Sequence, residues 1–277
     1  MHEQTQTSTS TMVIQSHCLP LPHAWLAPCI DSVKSWSKQE GFDYQFLGDE
    51  LFELLPKWVV EKTHSQRVVA TDLARLKCIQ KFLSCGYERV VWLDADFLVF
   101  SPERFHLPDC SALPENYALG REVWVQPQAL EKASLKARPT NKRERFKVYN
   151  KVHNAFLLFG QGNPFLDFYS AHAERLLDRV KGTVPPQFVG PKLLTALHNI
   201  VQCPVQEDAG MLSPWIIQDI LNGGGPALHL FREKSLLPLA GANLCSSLLG
   251  SPVFKDNAYD DQALDDVVAR LLSQGGI

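Results

Sequence analysis

The stretch Val90-Val91-Trp92-Leu93-Asp94-Ala95-Asp96-Phe97-Leu98-Val99-Phe100 decides how the chain is read. It is a β-branched and aromatic apolar run, and such a run reads as a buried strand. Two carboxylates are set into it one residue apart. Buried carboxylates are costly unless they are paired, hydrogen-bonded or bound to a metal. In an extended chain, residues i and i+2 point to the same side. Asp94 and Asp96 are therefore expected to converge where the strand leaves its sheet. Two hard oxygen ligands with further positions open suit Mg²⁺ or Mn²⁺ shared with a substrate phosphate. The plainer alternative is a strand end whose acids only cap a turn.

The residues before this stretch place it in an α/β architecture. Met12–Ser16 reads as a first strand and about 23–38 as a helix with Trp25, Leu26, Cys29, Ile30, Val33 and Trp36 at helical spacing. Gly41 ends that helix, and 42–47 alternates as a second strand. This β-α-β opening predicts an open sheet with ligands at the carboxyl ends of its strands. Thr71 is expected to cap a helix reaching Leu83, with Asp72 and Arg75 one turn apart. Taken alone, that pair is best read as a surface ion pair worth little. Downstream, 101–150 is loop-rich and carries the basic cluster Lys132, Lys136, Arg138, Lys142, Arg143, Arg145 and Lys147. This cluster is either a solvated face or a flap meeting a diphosphate, an acidic acceptor or an anionic membrane surface. Val152–Phe159 reads as a strand, 165–180 and 192–200 as helices, and 201–214 as irregular. A short helix is expected at 215–221, a turn at Gly223–Gly225, a strand at 227–231 and an acidic helix at 260–272. The glycine run lacks a following Lys-Ser/Thr, so it is no P-loop.

Bulk properties narrow the function. The chain has 277 residues, 45% hydrophobic and 21% charged, with net charge −3. That gives ample core and no global basic field for nucleic acid. Seven cysteines show no CxxC pair, which favours a reducing compartment over a disulfide framework or zinc site. The polar start lacks the pattern of a signal peptide, and no apolar run is long enough to span a bilayer. The expectation is a soluble cytoplasmic protein, with peripheral membrane contact through 132–147 left open. Residues 1–11 are expected to form a disordered tail and 12–277 a single domain.

Four pieces in order carry a resemblance: Ile14-Gln15-Ser16-His17, Ala70-Thr71-Asp72-Leu73-Ala74-Arg75-Leu76, Trp92-Leu93-Asp94-Ala95-Asp96, and Asn154-Ala155-Phe156 with the later Gly190-Pro191. In these the chain resembles the glycosyltransferases whose sugar-binding region contains a DXD motif. That group includes fungal initiating mannosyltransferases and bacterial capsule or lipopolysaccharide sugar transferases. The catalytic domains of clostridial glucosylating toxins are more distant relatives. The resemblance implies a GT-A fold: an α/β nucleotide-sugar-binding sandwich with a mostly parallel central sheet. It implies Mn²⁺ or Mg²⁺ held by Asp94 and Asp96 on the diphosphate of a UDP- or GDP-sugar. Asp72 and Arg75 would contact the donor sugar, with Asn154 beside it. Ile14, Gln15 and Ser16 would line the base and ribose pocket. The acceptor would be a glycan, a lipid-linked sugar or a protein, and the resembling families mostly retain configuration.

The resembling group usually adds a late His a few residues before Ser-Trp, and this chain departs from that pattern. His229 has no Trp after it, whereas Asn243 has Ser247 four residues on, so Asn243 is the preferred third ligand and His229 the alternative. Without a ligand role, His229 is expected to be a core histidine between Leu228 and Leu230. Glu207 and Asp208 sit where an acceptor could dock, without a residue pattern tying them to chemistry. Two rivals stay open. One is a haloacid-dehalogenase-type phosphohydrolase, which also places DxD after an apolar strand. The other is a catalytically silent nucleotide-binding module.

Overall fold

The computed structural model describes residues 10–109, 115–128, 146–251 and 259–277. The expected tail therefore lies outside the described residues except for Ser10 and Thr11, and Thr11 already belongs to the first strand. Of the basic cluster, only Lys147 is described.

The fold is mixed α/β, built on two sheets. Strand β1 (Thr11–Ser16) leads into α1 (Leu26–Gln39), then β2 (Asp43–Leu47). Helices α2 (Lys57–Lys62) and α3 (Arg67–Ser84) follow, and then β3 (Arg89–Leu93) and β4 (Phe97–Val99). Two long strands, β5 (Tyr117–Pro127) and β6 (Phe146–Gly160), precede α4 (Pro164–Arg179) and α5 (Pro191–Val201). The chain ends through β7 (Val205–Gln206), β8 (Ala209–Met211), α6 (Pro214–Leu221), α7 (Pro226–Lys234), β9 (Gly241–Asn243) and α8 (Asp261–Gln274).

The central sheet has the order β2-β1-β3-β6-β5-β7. Three of its pairings are parallel and the two that β6 makes are antiparallel. The smaller sheet has the order β4-β9-β8. β1 runs parallel to β2 on one side and to β3 on the other. The connection therefore reverses direction across the sheet at β1. A crevice outside the carboxyl ends of strands at such a reversal is the usual ligand site of an open α/β sheet.

Local chemistry explains the elements that flank this crevice. α3 buries Leu73, Leu76 and Ile79 at helical spacing, and on the same buried face it carries Asp72 and Arg75. Its start lies a turn before the expected Thr71. The Thr71 hydroxyl bonds back to the Arg67 carbonyl inside the helix and so does not cap it. α4 starts at Asn163, whose Oδ1 accepts the Leu166 N–H at 2.9 Å, with Pro164 next.

Four expectations need correction. The apolar stretch 90–100 is two strands in two sheets joined by a turn, because β4 pairs with β9 rather than continuing β3's ladder. Residues 117–127, expected as loop, form β5, paired along its length with β6. Residues 227–231, expected as a strand, lie in α7, which starts on Pro226 and buries Ala227, Leu228 and Phe231 at helical spacing. The stretch 201–214, expected as irregular, supplies β7 and β8, and β9 follows at Gly241–Asn243, each too short to leave a periodic signal. No helix among the described residues is long and apolar enough to cross a membrane.

Candidate functional site

The two acids of the opening stretch sit on the turn between the sheets. The Asp94 N–H bonds the Ala155 carbonyl of β6 at 3.0 Å, the last rung beside β3. The Phe97 N–H then bonds the Asp94 carbonyl at 2.9 Å, closing a tight turn over Ala95 and Asp96. The two carboxylates are therefore placed by this turn and not by strand alternation. Buried Gln15 of β1 braces it, donating to the Asp94 carbonyl at 3.1 Å and accepting from the Tyr44 hydroxyl at 3.0 Å.

Arg75 is the hub behind Asp94. Its Nη1 lies 2.9 Å from Asp94 Oδ1 and its Nη2 3.3 Å from Asp72 Oδ1. Nη1 also donates to the Asn154 backbone carbonyl at 2.5 Å. Asn154 Nδ2 donates to Asp72 Oδ1 at 2.7 Å, closing a ring of contacts between α3 and β6. The Trp92 indole N–H reaches Asp94 Oδ1 at 2.7 Å, and the Trp92 ring lies 5.4 Å from the Arg75 guanidinium carbon. Asp72 is 2% exposed and Arg75 3%, so the plain surface ion pair is overturned. Burial works against the Arg75 charge, but Asp94 and Asp72 outweigh it and hold the guanidinium firmly protonated. Burial pushes the Asp72 carboxyl up to about 6, against the opposing pull of Arg75 and Asn154.

One oxygen of Asp72 has no partner. Oδ2 is buried and accepts no hydrogen bond among the described residues. Gly190, at the start of α5, is packed so closely there that a Cβ would fall 2.3 Å from that oxygen. Only glycine allows this approach.

Asp96 is held by a different kind of partner. Asn243 of β9 donates from Nδ2 to Oδ1 at 2.5 Å, and the Ser246 backbone N–H donates to Oδ2 at 2.9 Å. The Leu244 N–H bonds the Asp96 carbonyl at 3.0 Å. Burial, and after it the charge of Asp94, raise the Asp96 carboxyl above its ordinary range. Asn243 Oδ1 accepts the Cys245 N–H at 2.8 Å. As placed, Asn243 orients Asp96 and spends its own oxygen on the backbone.

The sequence-predicted residues thus divide. Asp72, Arg75, Asn154, Asp94 and Gln15 form one hydrogen-bonded unit, and Asp96 with Asn243 forms a second at the other end of the same turn. Ile14 is fully buried in the core between sheet and α3, so it cannot line a pocket. Ser16 ends β1 opposite Leu47. His229 sits exposed on α7, neither a core residue nor part of the Asp94–Asp96 turn. Glu207 forms a bidentate ion pair with Arg121.

Trp92, Tyr44 and His153 were not singled out as site residues from sequence. Trp92 was findable, since its position two before Asp94 puts it on the same side of an extended chain. His153 is completely buried, accepting the Ala155 N–H on Nδ1 and lying 3.1 Å from the Ala209 carbonyl through Nε2. Burial drops it to about 4, so the ring is neutral and joins β6 to the second sheet directly beneath the turn.

The oxygens at the turn bear on whether a divalent cation fits there. Asp94 Oδ1 is fully used by Arg75 and Trp92, whereas Oδ2 accepts no hydrogen bond among the described residues and the side chain is 26% exposed. Asp96 offers the remaining lone pairs of a carboxylate fixed by two N–H donors. Among the described residues, no cluster of three or more His, Cys, Asp or Glu side chains could hold a metal by itself. Two carboxylates completed by substrate phosphate oxygens is a donor set that fits Mg²⁺ or Mn²⁺.

No protein-family model matches the chain, and no curated protein sequence matches it. Among solved structures, the chain is similar to a crystal structure of a glycosyltransferase involved in the glycosylation of the major capsid of PBCV-1. The two are 11% identical, with a TM-score of 0.48, and the match covers 94% of this chain and 99% of that one.

Proposed function

We propose that this protein is a metal-dependent glycosyltransferase that takes a sugar from a UDP- or GDP-sugar, with Asp94 and Asp96 gripping the cation on the diphosphate. One observation carries the reading: a buried Asp72–Arg75–Asn154 ring is hydrogen-bonded to the back of Asp94, at the carboxyl ends of β1 and β3 where the strand order reverses. Arg75 and Trp92 occupy Oδ1, which leaves Oδ2 of Asp94 as the oxygen free to take a ligand, on a side chain that is 26% exposed. Preorganised groups aimed at developing charge are the largest lever available to an enzyme. When bound, the cation would offset the negative charge that grows on the leaving nucleoside diphosphate. Asp72 Oδ2 would accept a donor-sugar hydroxyl, satisfying the one carboxylate oxygen of the ring that has no partner. Reaching it requires the segment at Gly190 to move aside, since Asp72 is closed to solvent. The acceptor is a glycan, a lipid-linked sugar or a protein, and retention of configuration is the expected stereochemical course.

The phosphohydrolase alternative needs its first aspartate as a free nucleophile. An ion pair and an indole hydrogen bond on Asp94 Oδ1 weaken that role. Calorimetric titration of UDP- and GDP-sugars, with and without Mn²⁺, tests the proposal. Binding should require Mn²⁺ and fall at least tenfold in Asp94→Asn/Asp96→Asn, and the bound donor should be slowly hydrolysed. Metal-independent binding equal in both proteins points to a silent module and ends the proposal. So does phosphatase activity without affinity for any nucleotide sugar.

A further inference from the structure

A second polar cleft lies on the same edge of the central sheet. It has a volume of about 480 Å³ and is lined by Arg121, His198, Asn199, Gln202, Cys203 and Glu207, with Val205. That is within the roughly 300–1,000 Å³ of small-molecule sites. Arg121 is on β5 opposite Val152, and Glu207 follows the end of β7, whose Gln206 is opposite Gly120. β7 runs parallel to β5, and both run antiparallel to β6, as β3 does. The carboxyl ends of β7 and β3 therefore share one rim. Three strand spacings separate them, roughly 14 Å. Helix α5 spans the gap. Its N-terminal cap Gly190 lies at Asp72, its middle bonds β6 through Thr195, its last turn supplies His198, and Gln202 follows its end.

The walls define the ligand chemistry. Every nitrogen of Arg121 is engaged, Nε and Nη2 by Glu207 and Nη1 by the Lys151 carbonyl. Among the described residues, the cleft therefore presents no unpaired cation for an anion to meet. His198 bonds the Cys203 backbone through its ring, while Nδ1 is closed to solvent and has no partner among the described residues, so a ligand in the cleft reaches it only if the ring shifts. In a neutral imidazole that leaves Nδ1 as an acceptor. Burial and the Arg121 charge keep the ring neutral. The Glu207 carboxylate keeps spare lone pairs, and the amides of Asn199 and Gln202 both donate and accept. A charge-neutral wall mixing acceptors with two-way amides matches a group of adjacent hydroxyls, each of which also donates and accepts.

We propose that this cleft binds a neutral sugar ring and is the acceptor subsite of the transferase. The acceptor role rests on the donor reading of Asp94 and Asp96; the sugar-binding role does not. Saturation-transfer NMR with a panel of methyl hexopyranosides, in the absence of nucleotide, reads the subsite directly. At least one glycoside should bind wild type. Its signal should drop at least fivefold in His198→Phe and in Asn199→Ala, with both variants melting as wild type and keeping Mn²⁺–nucleotide affinity within twofold. If no glycoside binds, or if both folded variants bind as wild type does, the subsite is overturned whatever the nucleotide result. A loss of nucleotide affinity equal to the loss of sugar binding likewise overturns it, because the cleft would then be part of the donor site. Failure of wild type to bind any nucleotide sugar removes the donor reading and the acceptor role, and leaves the sugar measurement standing.

Discussion

Asp94 and Asp96 stand two residues apart on one turn and are stabilised in opposite ways. Asp94 is fastened to the larger sheet, and its partners are a buried guanidinium and an indole N–H. Asp96 is fastened to the smaller sheet, and its partners are the Asn243 amide and the backbone N–H and side chain of Ser246, with no cation among those described. The first is a compensated charge with one oxygen left over. The second is a buried carboxyl raised above its ordinary range. A cation shared between them would favour the charged form of Asp96, against the burial that raises it. The turn is thus the seam between two sheets, and each sheet tunes one of its acids.

Removing Arg75 should break this contrast most severely. Arg75→Met keeps the stem but leaves Asp72 and Asp94 without their cation in a buried setting. Breaking one side of a buried ion pair costs about 3–5 kcal/mol. Urea unfolding should register a loss of that order, together with loss of nucleotide-sugar binding. The double variant Arg75→Met/Asp72→Asn should recover part of the stability, because one stranded charge is gone. A double variant no more stable than the single would mean that the ring is held by packing rather than by charge.

The Asp72 carboxyl sharpens the contrast through pH. Its folded value of about 6 lies above its ordinary value, chiefly through burial. Between about pH 4 and 6 the folded protein binds a proton there that the unfolded chain has lost, so stability from this group falls as pH rises. The contribution is full below about pH 4 and gone above 6, with a span on the order of 3 kcal/mol. Asp72→Asn keeps the Oδ1 acceptor for Asn154 and removes the titration. Unfolding free energies at pH 4.5 and 7 should therefore differ less in Asp72→Asn than in wild type. An identical pH slope in the two proteins would place the proton elsewhere.

Much of the Asp94 side was legible from residues alone. Asp72 and Arg75 at i and i+3 share a helix face, and that helix runs straight into the β3 strand. Their burial was not legible, because the pair looks the same on a solvated face as on a buried one. The link to Asn154 crosses 82 residues of chain and depends on β6 lying antiparallel to β3, which local pattern does not specify. The Asp96 side was almost invisible. β8 and β9 are three residues each, below the length at which alternation is recognisable. The Asp94–Phe97 turn lies hidden between two apolar runs whose merging into one strand was the simplest reading. Asn243 was reached only by its spacing in the chain, and the structure gives that spacing a reason: β9 pairs with β4 so that Phe97 and Asn243 are opposite.

The smallest expected effect lies at that amide. Asn243→Ala removes the Nδ2 donor from Asp96 Oδ1 and the Oδ1 acceptor from the Cys245 N–H. Leaving buried polar groups unsatisfied costs about 1–3 kcal/mol, less than stranding the charges around Arg75. The consequence for the cation should be larger than the consequence for the fold, because Asp96 keeps its Ser246 contacts but loses the one donor on Oδ1. Mn²⁺ affinity measured with UDP or GDP present should fall several-fold while the thermal midpoint of the metal-free protein drops only slightly. Asn243→Asp makes the converse case. It retains the acceptor for Cys245 but sets a carboxylate against Asp96, so Asp96 should titrate still higher and stability should drop as pH rises. If Asn243→Ala binds Mn²⁺ as tightly as wild type, Asp96 is oriented by its backbone contacts alone, and the amide is merely a tie between β9 and the turn.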